Sequence, residues 1–495
     1  MFFKESTTIS KNSNENLEKL KDVLSNCEDL NIFPWQYGPD LMYNAFSVYF
    51  ETLVQEKSVN YMKESMQDLV QHEVGPATMI KPKDVIKFFS QHGISSQNAL
   101  LVDSFEQAVD NILQGHVVIF FDGWDQVLSY AQATQINTRQ VTEPVTESVV
   151  KGPREGTVEQ LQRNIGLLRT RLQNPNFKIE KFRAGGATKT EVAFGYLEGK
   201  VDTETLAEFK KRIEEAKKGD ILETSYIEEL IEDSTYSPFP QYRSTERPDV
   251  AISSLLEGKI IVMVQGTGTI LICPGLLTEF FQASEDYYHR VVFSSCIRLL
   301  RIAAFFIALS LPSIYVALTT FHPELIPTNL LMAILDTREG LPFPAFVEAI
   351  IMIFFFELLR EAGIRLPRPV GSAVSIVGAL IIGDAAITAN IASPIIVILV
   401  ALTGIASFSM PHYSISISLR ILQFPLMILA AILGGFGIMI GYLLIMLHIS
   451  QLRSLGTPYF SPLTPFRPKQ LLDVLIRAPH KTLWETPRVR GMRKN

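Results

Sequence analysis

The stretch ILQFPLMILAAILGGFGIMIGYLLIMLHISQL, residues 421–452, contains no charged residue. A membrane-spanning helix needs about 20 mostly apolar residues, because backbone groups in lipid must be satisfied within the helix itself. Working outward, 22 uncharged residues separate Arg301 from Glu324, and residues 369–419 carry a single charge, Asp384. Four stretches pass the length test: 302–320, 341–359, one within 370–410, and 420–449. Apolar runs of this length are rare in soluble cores. Residues 291–450 are therefore expected to be an all-α, multi-span membrane domain.

The rest of the chain is of another kind. Residues 1–290 carry a balance of −13 and residues 291–495 one of +7, within a total of −6 over 495 residues. Charged residues are 19% of the chain and mean hydropathy is +0.18, which excludes disorder over most of the length. Three cysteines exclude a disulfide-stapled fold. The N-terminus, MFFKESTTISKNSNENLEKLK, lacks an apolar signal core, so the acidic part is expected to stay in the cytoplasm. Capping boxes predict helices after Ser104, Thr157, Asp202 and Ser225. Strands are predicted over Val117–Phe121, Glu191–Leu197, Lys259–Val264 and Thr269–Cys273, the last two joined as a hairpin by Gln265–Gly268. The class is α/β. A Pro/Gly-rich joint at Glu143–Gly156 suggests two subdomains, and Ser237–Pro248 reads as a loop of the second. The expected organisation is a polar tail (1–30), cytoplasmic subdomains (31–145 and 146–290), the membrane domain (291–450) and a basic inner tail (451–495).

Basic residues mark the inner side. Arg290, Arg298 and Arg301 precede the first span; Arg360, Arg365 and Arg368 follow the second; the tail carries nine Lys or Arg against Asp473 and Glu485. Both ends lie inside on this reading, so the number of crossings is even, four or more. As one helix, 420–449 would be about 45 Å long, enough for one tilted crossing and too short for two. Residues 370–410 would be about 60 Å long, so one crossing plus a re-entrant or interfacial piece is expected there, broken around Gly383, Asn390 and Pro394.

Catalytic signatures are missing: no P-loop, HExxH, paired CxxC or GxSxG occurs, and Gly266-x-Gly268 makes a poor dinucleotide fingerprint. No enzyme, catalytic residue, metal, cofactor or nucleic-acid partner is expected. The intramembrane polar residues carry the interest. Asp384 and Thr388 share one helix face at i, i+4 and with Asn390 could line an ion or water path. The alternative is a helix–helix contact among small neighbours. Glu348 and Glu357 stand near the two ends of the second span, as interfacial anchors or as pore lining. Gly437-x-x-x-Gly441 fits the small-xxx-small packing pattern.

Several strings resemble one family: VTEPVTESVVKGPREG (141–156), SPFPQYRSTERPDV (237–250), RLLRIAAFFIALSLPSIYVALTTFHPELIPTNLL (298–331), GLPFPAFVEAIIMIFFFELLREAGIRLPRPVG (340–371), VSIVGALIIGDAAITANIASP (374–394) and RSLGTPYFSPLTPF (453–466). They are similar to the A subunit of GerA-type spore germinant receptors, over about Asp103 to Phe466. The resemblance implies a two-part cytoplasmic domain, a multi-span domain in the spore inner membrane, and B and C partner subunits. It also implies self-association into a nutrient-gated cation channel. Residues 1–100 fit the family poorly, Gln265–Gly268 is atypical, and Phe354–Phe356 make the second span more apolar than the family pattern. A scaffold without a pore is the alternative; a secondary transporter would need a second broken segment in a repeated half.

Overall fold

A computed structural model describes residues 8–37, 39–54, 99–130, 144, 147–367, 381–466 and 473–485, with single positions at 83, 378 and 471. The described chain forms two compact units. One is built from Met1–Glu232 with Tyr242–Pro274, the other from Asp233–Gln241 with Gly275–Thr486. Of the stretch Ser237–Pro248, read from the sequence as a loop of the second subdomain, Ser237–Gln241 thus groups with the helical unit and the rest with the α/β unit.

The first unit holds two antiparallel five-stranded sheets. In the first, β1 (Leu30–Tyr37), β2 (Tyr43–Phe50), β3 (Ala99–Val102), β4 (Val117–Phe121) and β5 (Val127–Tyr130) lie in the order β1-β2-β4-β5-β3. Helices α1 (Ser13–Val23) and α2 (Phe105–Leu113) cover one face: Leu20, Phe105, Val109 and Ile112 meet Val48, Phe50, Val118 and Phe120. The polar stretch 1–30, expected to be a tail, therefore supplies a helix, capped by Asn12 accepting from the Asn14 N–H. In the second sheet, β6 (Phe177–Ala184), β7 (Thr190–Leu197), β8 (Arg243–Thr245), β9 (Ile260–Val264) and β10 (Ile270–Cys273) lie in the order β6-β7-β9-β10-β8. The expected Gln265–Gly268 hairpin pairs Ile270 with Met263. Helices α3 (Leu161–Arg171) and α6 (Pro248–Leu256) pack on this sheet through Leu161, Ile165, Leu168 and Val250. Helices α4 (Thr203–Ala216) and α5 (Thr224–Ile231) complete the unit.

Two of the four predicted caps move. Gln160, not Thr157, precedes α3, and the Thr157 hydroxyl donates to the Glu246 carbonyl instead. Glu223, not Ser225, caps α5 by accepting from the Ser225 N–H. An acidic side chain two residues earlier serves an orphan donor of the first turn, as the Ser hydroxyl would from its own cap position.

A buried ion pair helps to join the sheets, beside the backbone bridge between Cys27 and Ile179. Asp29, just before β1, accepts Arg169 Nε and Nη2 from α3 at 2.8 and 2.7 Å, and both side chains are sealed from solvent. The guanidinium also donates to the Phe177 carbonyl and lies 4.2 Å from the centre of the Phe50 ring. Close approach is enforced at Gly166, where a Cβ would stand 2.6 Å from the Thr52 carbonyl oxygen. Removing one partner of a fully buried pair costs about 3–5 kcal/mol. Asp29→Ala is expected to lower the stability of this unit by that amount in denaturant melts of the purified chain; a loss below 1 kcal/mol would show that the pair does not join the sheets.

On α5, burial raises the Glu228 carboxyl to about 7, helped by Glu232 and Glu223. The folded form therefore binds this proton more tightly than the unfolded chain. Its contribution is present at acid pH and is lost as pH rises through about 7. Glu228→Gln is expected to gain about 1–2 kcal/mol on the native chain between pH 5 and pH 8, read from melts at both pH values; an unchanged difference would contradict this.

The second unit is helical: α7 (Val291–Thr320), α8 (Thr328–Arg338), α9 (Ala345–Arg365), α10 (Pro394–Phe408) and α11 (Tyr413–Gln451), with a helical stretch at 381–388 ahead of α10. By length and composition α7 and α11 could each cross a membrane. α9 is long enough at 21 residues but carries Glu348, Glu357, Arg360, Glu361 and Arg365.

The single unbroken helix expected over 420–449 is not what forms. Gly434 has φ +62° and ψ −139°, outside the helical region, and α11 folds back there. A Cβ on Gly437 would overlap the Leu429 carbonyl, and one on Gly441 the Leu426 side chain. In a straight helix those pairs would be about 12 and 22 Å apart along the axis. Away from the bend, Ser418 donates to the Pro238 carbonyl while His448 bonds the hydroxyl of the adjacent Ser237. The limbs 413–433 and 435–451 are about 31 and 26 Å long. The helix starts at Tyr413, earlier than the sequence suggested, and glycine makes the reversal accessible. The bend lies against Phe321 and His322 at the end of α7, where the Gly435 N–H donates to His322 Nε2 at 3.3 Å.

Outward-facing residues of α11 are mostly apolar: Ile417, Ile421, Ile428 and Ile432 on one limb, Phe436 and Leu443 on the other. Inward positions include Ser416, Ser418 and Gln423. A water-soluble domain seldom exposes so large a contiguous apolar surface.

Candidate functional site

Among the described residues, the helical unit holds three clusters of ion-paired charge that are largely withdrawn from solvent. The first joins the start of α7 to the chain's end. Asp286 pairs with Arg298 at 3.2 Å and with Arg301 at 2.8 Å, and Arg298 also pairs with Asp473 at 3.2 Å. Tyr287 donates to Asp473 Oδ2 and Gln282 to its carbonyl. The stretch read as a basic tail is thus partly folded, with Asp473 and Tyr459 buried.

The second cluster centres on Glu357 of α9. It pairs with Arg360 at 3.2 Å and with Arg420 of α11 at 3.0 Å. Arg360 also donates to the Ser407 hydroxyl and lies over the rings of Phe356 and Phe408 at 4.8 and 4.7 Å. Phe356, atypical in the sequence pattern, is therefore half of a cation–π clamp. A Cβ at Gly404 would overlap its ring.

The third is Glu348, with no solvent exposure. Its Oε1 lies 3.1 Å from Arg338 Nη2 of α8, and its Oε2 accepts the Ser393 N–H at 3.1 Å. Ser393 is the N-cap of α10, its hydroxyl accepting from the Ile396 N–H, and Pro394 takes the first helical position. Glu348 joins α8, α9 and α10 and is buried within the chain.

The remaining polar candidates sit differently. Asp384 and Thr388 share an exposed face of 381–388, with the Thr388 hydroxyl donating to the Asp384 carbonyl at 2.8 Å. Asn390 is exposed at φ +52° and ends that helix, while the Ile391 N–H donates to the Ala386 carbonyl at 2.9 Å. Asparagine tolerates this left-handed cap better than most residues. Gly437 and Gly441 lie on the seam between the two limbs of α11. Arg365 makes an exposed pair with Glu361, and Arg368 lies outside the described residues.

Arg298, Arg301 and Arg360 are buried partners rather than loop charges facing water, so they carry less weight as markers of the inner side than the sequence reading gave them. Arg338, Arg420, Asp286 and Asp473 were not singled out as site residues. Arg420 did carry a signal, as a lone cation ahead of a long apolar run, which implies a partner. Asp473→Ala would leave Arg298 short of one carboxylate and is expected to cost about 3–5 kcal/mol. Detergent-solubilised chain should melt correspondingly lower; an unaltered melting curve would contradict the clamp.

Comparison with known proteins adds an independent line. The sequence profile of the Bacillus/Clostridium GerA spore germination protein family matches residues 18–489. Spore germination protein KA of Bacillus subtilis (strain 168) is 42% identical over 472 residues, covering 95% of this chain and 85% of that protein. The uncharacterized membrane protein YfkQ of the same organism is 41% identical over 479 residues, covering 97% and 91%. A crystal structure of the N-terminal domain of the A subunit of the Bacillus megaterium spore germinant receptor GerK3 aligns with 55% of this chain and 99% of that domain, at 26% identity and a TM-score of 0.43. The matched span takes in most of residues 1–100, so the poor fit expected there is corrected.

Proposed function

This chain belongs to the GerA family of spore germination proteins, and from that premise we propose that it is the A-type subunit of a nutrient germinant receptor. In this reading the helical unit lies in the spore inner membrane and crosses it an even number of times, with both ends in the cytoplasm. Copies of the chain assemble with B and C subunits, and the assembly passes cations when a nutrient is sensed. The α/β part couples assembly to the membrane part.

One observation carries the pore element. Asp384 and Thr388 form an exposed polar face on a helix whose exposed neighbours include Ile381, Ala385 and Ala389. An Asp facing lipid near the bilayer centre costs roughly 2.5–3.5 kcal/mol on insertion scales. This face needs water or another protein surface. A ring of copies supplies both, because the same face repeated about an axis encloses a hydrated path.

Spores lacking the chain are expected to lose one nutrient response and keep others; a full set of normal responses, with related receptors also deleted, would remove the receptor reading. Asp384→Ala and Asn390→Leu are expected to slow cation release while the chain stays at its normal membrane level. Unchanged release, with no cation-selective current from the purified complex in planar bilayers, would favour a scaffold instead.

A further inference from the structure

We propose that Glu348 is a positioning residue for the turn that carries Asn390 and follows the Asp384–Thr388 face, and that Arg338 controls it from α8. The inference rests on the proposed ion path, but its geometry does not. Between the helix at 381–388 and α10 the chain reverses in a few residues. The reversal is held at its start by the Asn390 and Ile391 N–H groups, which donate to the Ile387 and Ala386 carbonyls at 3.0 and 2.9 Å. It is held at its end by Ser393, whose own N–H is taken by Glu348. The carboxylate therefore pins the far side of the turn to α9.

The placement also suits the charge. The N-terminus of α10 presents unsatisfied N–H groups and the positive end of a helix dipole, and the Glu348 carboxylate sits there fully buried. A buried carboxylate is stable only while its counter-charge stays in place. That counter-charge comes from Arg338, the last residue of a helix whose Leu330, Met332 and Leu335 are exposed. Arg338 Nε is buried beside it with no hydrogen-bond partner among the described residues. α8 is thus a lever with little holding its outer side. When it moves, Arg338 leaves Glu348, the carboxylate loses its compensation, and the Ser393 tether loosens.

The test is thiol labelling of Asn390→Cys in the full chain, purified in detergent, with Cys27, Cys273 and Cys296 replaced by Ser. Glu348→Ala should change the labelling rate about tenfold, the size expected from losing a hydrogen bond to a charged acceptor. Glu348→Gln keeps an acceptor for the Ser393 N–H and should stay within about threefold of the parent on the same grounds. Arg338→Gln should move the rate in the same direction as Glu348→Ala. In spores, the same variants should alter the onset of cation release in that order. Equal labelling in all four proteins overturns the proposal, as does Glu348→Gln behaving like Glu348→Ala. If Glu348→Ala does not fold, Glu348→Gln against Arg338→Gln decides: Arg338→Gln must shift the rate and Glu348→Gln must not. Labelling does not depend on nutrient sensing, so its failure is separate from failure of the receptor reading.

Discussion

The helical unit is governed by one constraint: where the outer surface is apolar, charge must be cancelled inside. Asp286 neutralises Arg298 and Arg301 with help from Asp473, Glu357 serves Arg360 and Arg420, and Glu348 serves Arg338. Each pair is within 3.2 Å. In water such pairs would contribute little. Where the partners are buried, as for Asp286, Arg298 and Asp473, separating them is expensive, and the pairs fix which helices pack together. The clusters join α7 to the chain's end, α9 to α11, and α8 to α10 by way of α9. Asp384, exposed on a neighbouring helix, has no such ion pair among the described residues, which is why the proposed reading gives it water and a second copy.

The second constraint is backbone freedom at a few glycines. Gly434 turns α11 back on itself at a φ that L-residues adopt with difficulty. Gly437 and Gly441 then let the limbs approach until a Cβ on either would overlap the opposite limb. In the α/β unit Gly166 plays a comparable part, admitting the Thr52 carbonyl beside the Asp29–Arg169 pair. Two unrelated units are thus closed by the same device, small residues that let backbone come near and a buried charge pair or seam that holds it.

Much of the fold was legible because local signals agreed. The strand at Val117–Phe121, the Gln265–Gly268 hairpin and the helix after Asp202 formed as read, since propensity, pattern and packing point the same way. The break between 381–388 and α10 was legible from Asn390, Ser393 and Pro394. The hairpin of α11 was missed because an uncharged run has no internal mark of direction, and Gly434-Gly435 reads equally well as packing or as a bend. The ion-paired clusters were missed for a different reason: their members are far apart in sequence, Asp473 lying 175 residues beyond Arg298. Positive charges near span ends were taken as facing water, and only tertiary structure shows which of them are spent on buried carboxylates.

The central claim is that lipid solvates the helical unit and that α11 enters and leaves it on the same side. Single cysteines at Tyr413, Phe436 and Gln451, labelled in sealed vesicles of known orientation with a membrane-impermeant thiol reagent, test it directly. The account predicts that the cysteines at Tyr413 and Gln451 react from one side and the one at Phe436, next to the bend, from the other. Reaction of the Tyr413 and Gln451 positions from opposite sides, or a chain that stays in the supernatant when membranes are pelleted, would contradict it.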